Sequence, residues 1–132
     1  SLANAAITNP NLSYAATPQG FPQWFAWTPT WSSLTTTGSP IYFGYFTING
    51  RLLSFGIQIN ANGGTTACVY GTNYINNLPA TVAGTRGSDM VYNTDAGTLV
   101  GGAQHVSTTR YLYPPSWTAT GNTIVINGSY QI

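Results

Sequence analysis

Charge is what this sequence has least of. Of its 132 residues only 4% are charged, namely Arg51, Arg86, Arg110, Asp89 and Asp95, and it holds neither lysine nor glutamate. Disordered chains combine low hydrophobicity with high net charge, whereas here 42% of the residues are hydrophobic and the net charge is +1. The chain is therefore expected to fold. Three scattered arginines make no basic patch of the kind that phosphate backbones or anionic lipid surfaces require, so a nucleic-acid or membrane-surface partner is not expected.

Long apolar runs are missing as well. No stretch approaches the roughly 18 to 20 residues of a spanning helix, and SLANAAITNP at the N-terminus has neither the basic start nor the apolar run of a signal peptide. The single cysteine, Cys68, cannot close an intrachain disulfide and is expected to be a buried, inert thiol. No window repeats apolar residues at helical spacing between helix formers, so helix content is expected to be close to nil.

What is present is Thr, Ser, Asn and Gln at about a third of the positions, with aromatics at 14%. Uncharged polar groups must then solvate the surface, and a surface with net charge near zero associates readily. A chain of this length is expected to form one main domain. Residues 1 to 23, punctuated by Pro10, Pro18, Gly20 and Pro22, read as an extended arm, and residues 24 to 132 as the folded domain.

Within that domain WFAWTPTW (24–31) suits an edge strand, because Pro29 cannot donate to a ladder. IYFGYFTI, Asn49-Gly50 and RLLSFGIQIN predict a hairpin turning at Asn49-Gly50, which pairs Phe46 with Leu53, Gly44 with Phe55 and Tyr42 with Ile57. Further strands are expected at TTACVY, 88–93, about 98–104 and 107–113, with TATGN as a last hairpin turn before TIVINGSYQI. In that segment Ile124, Ile126, Tyr130 and Ile132 share one face. Short strands at this spacing predict an all-β, antiparallel β-sandwich.

Catalytic parts are scarce. Asp89 and Asp95 are the only acids, a thin supply for glycoside cleavage, and they read more simply as a strand start and a turn residue. His105 is the only histidine, without a nucleophile motif or companion metal ligands, so no catalytic residue, metal or cofactor is expected. The aromatic surplus remains: rings edged by amides, carboxylates or guanidinium groups are how proteins grip sugars, although core filling also needs rings. Trp117, Tyr111, Tyr113, Arg110 and Asp95 are the candidate ligand-binding residues.

The order WTPTW, GYFTINGRLLSFGIQI, INNLPATVAG and RYLYPPSWTATGNTIVINGSYQI resembles the C-terminal β-sandwich domains of bacteriophage tail fibres and tailspikes over about residues 24 to 132. Asn122 stands where such domains often carry Asp. The resemblance implies a jelly-roll-like homotrimer located on the virion, joined to other virion proteins through the arm. It also implies non-catalytic attachment to a host-surface glycan or protein. The alternative is a trimeric cap or decoration protein, on fibre or capsid, that binds no ligand.

Overall fold

The computed structural model describes residues 23–84 and 89–132, and among them it is all-β with antiparallel pairing throughout. The strands are β1 (Phe25–Trp27), β2 (Trp31–Ser32), β3 (Thr35–Thr36), β4 (Ile41–Asn49), β5 (Leu52–Asn60), β6 (Thr65–Cys68), β7 (Tyr74–Ile75), β8 (Met90–Asn93), β9 (Thr98–Gly101), β10 (Gln104–His105), β11 (Leu112–Tyr113), β12 (Trp117–Thr120) and β13 (Thr123–Gln131). They form a six-stranded sheet in the order β1-β4-β5-β13-β8-β9, a four-stranded sheet β10-β11-β7-β2 and a three-stranded sheet β12-β6-β3. The expected arm lies outside the described residues except for Gln23, whose carbonyl accepts from the Thr47 hydroxyl.

Period-2 alternation makes the long strands two-faced. Leu53, Phe55, Ile57 and Ile59 of β5, Val91 of β8, and Ile124, Ile126 and Tyr130 of β13 are buried on one face of the large sheet. They share a core with Ile75 and Leu112 of the four-stranded sheet and with Cys68, Trp117 and Ala119 of the three-stranded one. This is a sandwich-like arrangement, and burying one such aliphatic side chain stabilises it by about 2 kcal/mol.

The central hairpin forms with its expected faces but a different register. Asn49 pairs with Leu52, Phe46 with Phe55, Gly44 with Ile57 and Tyr42 with Ile59. The turn therefore falls on Gly50-Arg51, with Gly50 at φ 63°, the position a type II′ turn reserves for glycine. A slip of two residues leaves every side chain on its face, so the hydrophobic pattern alone does not choose between the two registers. Gly44 makes room for an indole: a Cβ there would lie 2.5 Å from the Trp27 ring.

The expected strand at 107–113 shortens to Leu112–Tyr113, because Val106–Arg110 turns the chain from β10 to β11. TATGN is not a hairpin turn. β12 pairs with β6, whereas β13 pairs with β5 and β8, so Gly121 (φ 70°) carries the chain from one sheet to another. β1 is an edge strand as expected, and Pro29 is buried between β1 and β2 where neither ladder needs its nitrogen.

Candidate functional site

Alternation in the four-stranded sheet separates a core face from an open one. Ile75 and Leu112 pair directly and are fully buried, so their neighbours Tyr74, Tyr111 and Tyr113 project from the other face. The Tyr74 ring centroid lies 4.8 Å from that of Tyr111 and 4.9 Å from that of Tyr113. Burial, then the adjoining phenols of Tyr74 and Tyr111, push the Tyr113 hydroxyl above its ordinary range. Gln104 pairs with Tyr113 on β10 and accepts from the Tyr70 hydroxyl at 2.5 Å. The result is a row of phenol rings closed at one end by an amide.

At the other end the row meets Arg110. Asn76, Thr81, Thr108, Thr109, Arg110 and Tyr111 line an open cleft of about 350 Å³. Its walls are tied by backbone bonds from Val82 N to Thr109 O and from Thr108 N to Val82 O, both 2.8 Å. Arg110 Nε donates to Leu78 O at 2.5 Å while Leu78 N donates to Arg110 O at 3.0 Å, fixing the root of the guanidinium. Thr108 has φ 66°, a left-handed conformation that costs a β-branched residue about 1–3 kcal/mol and that tends to persist at functional sites.

Behind this sheet, on its core side, His105 meets Asp89. Nε2 lies 2.5 Å from Oδ2, and the side chains are 3% and 1% exposed. The angles are not those of a hydrogen bond, and no other hydrogen-bond partner reaches these four nitrogen and oxygen atoms among the described residues, so each side chain has the other as its close polar neighbour. Phe55 stands edge-on to the His105 ring at 5.8 Å, and Tyr130 lies over it at 4.9 Å. The Tyr130 hydroxyl donates to Ala80 O at 2.8 Å and accepts from Ala80 N at 3.1 Å. Burial pushes that phenol up to about 12, against the backbone bond to Ala80 and the Arg110 charge.

Of the five candidates named from sequence, Tyr111, Tyr113 and Arg110 come together. Trp117 does not join them: it is 8% exposed, donates from Nε1 to Thr66 Oγ1 at 3.1 Å and packs edge-on against Trp31, so it is a core residue. Asp95 sits in the β8–β9 turn and accepts from Thr123 N at 2.6 Å, away from the tyrosine row. Tyr74 was not among the candidates because its two-residue strand lies in a segment that reads as loop. Cys68 is buried, and burial pushes its thiol up to about 12. No cluster of three metal-ligating side chains occurs among the described residues. No family model matches the chain, and neither a curated protein nor a solved structure matches it significantly.

Proposed function

We propose that this chain is a non-catalytic attachment module of a virion fibre that holds a host-surface glycan on the row Tyr74, Tyr111 and Tyr113, with Arg110 at its end. The observation that carries the glycan part is the row itself: three contiguous rings on an open sheet face, with an amide at one end and a guanidinium beside threonine hydroxyls at the other. Apolar ring faces match the C–H faces of a sugar, while edge donors and acceptors fix its orientation. The virion assignment rests on the sequence resemblance.

The jelly-roll-like, homotrimeric form and the connection to other virion proteins through residues 1 to 23 belong to the same proposal. Self-association is favoured by the outer face of the six-stranded sheet, whose strands carry no charged residue at all. On it Phe43, Tyr45, Leu52 and Met90 are exposed, and exposed apolar side chains gathered on one face favour association. The same face supports the second reading, a structural cap that binds no ligand. Titrating the protein with host-surface polysaccharide while following the tyrosine ring resonances separates the two: the attachment module responds at Tyr74, Tyr111 and Tyr113, and the cap does not.

A further inference from the structure

We infer, on the premise that the tyrosine row holds a glycan, that the glycan is acidic, with the carboxylate of a uronic or sialic acid residue taken by Arg110. The whole sequence contains two side-chain carboxylates, and both are committed elsewhere. Asp89 faces His105 in the core, and Asp95 accepts from Thr123 N. Arg110 therefore has no side-chain counter-ion anywhere in its own chain, although it is exposed at a cleft wall. In a molecule with so little charge, an uncompensated guanidinium sets the local potential and draws anions.

The geometry narrows the choice of anion. Because Nε is engaged by the Leu78 carbonyl, the Nη1 and Nη2 end remains for a ligand, and that end offers two parallel N–H donors to a planar carboxylate. The cleft beside it supplies the Thr81 hydroxyl, the acceptor side of the Thr108 hydroxyl, whose proton goes to Ser107 O, and the Nδ2 donors of Asn76, whose Oδ1 accepts from Thr30, for sugar hydroxyls, with Tyr111 as the adjoining ring. Arg51 is the internal contrast. It too has no carboxylate side chain beside it, and its Nε donates to Ile132 O, but its cleft is completed by Asn49, Leu52 and Gln131, without an aromatic ring.

The test compares two acidic probes, a glucuronate-containing tetrasaccharide and N-acetylneuraminyl-lactose, each with its carboxyl-reduced counterpart in which CH2OH replaces the carboxylate. Binding to the full chain is followed through the tyrosine ring resonances. For the wild type, at least one acidic probe is expected to bind about tenfold more tightly than its reduced form, with added salt narrowing the gap. Arg110→Gln is expected to abolish the preference and leave weak binding of both forms. Arg51→Gln, which removes the same charge elsewhere, keeps it, and Arg110→Lys, which keeps charge without the fork, retains part of it. Equal binding of acidic and reduced probes by the wild type, or a preference that survives in Arg110→Gln, overturns the acidic ligand while leaving the glycan reading in place. If neither form disturbs the tyrosines, both are overturned.

Discussion

His105 Nε2 and Asp89 Oδ2 lie 2.5 Å apart in the core, so the chain's only histidine and one of its two acids are spent on each other out of contact with water. Removing one member of a buried pair strands the other in low dielectric, which costs about 3 kcal/mol. His105→Ala and Asp89→Ala are each expected to lose about that much in urea denaturation. The double variant should lose clearly less than the sum, and strictly additive losses would show that the two side chains are not coupled.

Gly128 is the third member of this arrangement. It sits on the core-facing side of β13, and a Cβ there would overlap the Asp89 carboxylate. Gly128→Ala is expected to destabilise the fold by about 2 kcal/mol, as overpacking does. In the Asp89→Ala background, where the space is free, the same change should cost little. An equal cost in both backgrounds would point to β13 itself instead of the carboxylate.

How much of this was legible in the sequence follows from the range of each signal. The faces of β4, β5 and β13 are written in a period of two, so the all-β class and Ile124, Ile126 and Tyr130 as core residues could be read directly. The hairpin register could not, because moving the turn from Asn49-Gly50 to Gly50-Arg51 preserves both faces. Nor could the partners of β12 and β13, which are chosen by packing between sheets. Asp89 and His105 lie far apart along the chain, and no local pattern links them. In INGSY the sequence shows strand alternation alone, whereas Gly128 clears the carboxylate and Tyr130 covers the imidazole. In the proposed ligand face, Tyr111, Tyr113 and Arg110 were legible as aromatics beside a cation, but Trp117 is turned inward, with its indole bonded to Thr66.

The buried thiol and phenol set a pH dependence on the alkaline side. Cys68 rises from its ordinary 9.0 to about 12, and Tyr130 from 10.0 to about 12. In each case the fold favours the neutral form, so the stability that the group contributes is fully present below its unfolded value and is lost as pH rises towards its folded one. The denaturation midpoint is expected to fall progressively between pH 9 and 12. In Cys68→Ala the fall should begin nearer 10, where the raised phenols act, Tyr130 foremost, and an unchanged onset would contradict the role given to the thiol.

Trp117 and Tyr111 should separate stability from binding. Trp117→Phe keeps most of the packing but leaves the buried Thr66 hydroxyl without its indole partner, a loss of about 1 kcal/mol in stability with glycan binding unchanged. Tyr111→Ala, on an open face, is expected to cost about 1 kcal/mol or less in stability and to weaken glycan binding. A Trp117→Phe protein of normal stability and impaired binding would reverse these assignments.

The most direct measurement is calorimetric titration of host-surface polysaccharide into the intact wild-type protein and into a Tyr74→Ala, Tyr111→Ala, Tyr113→Ala triple variant, with folding checked by thermal melting. Saturable binding to the wild type that disappears in a cooperatively melting triple variant is the predicted result. Undiminished binding by the triple variant, or no binding by the wild type, would contradict it.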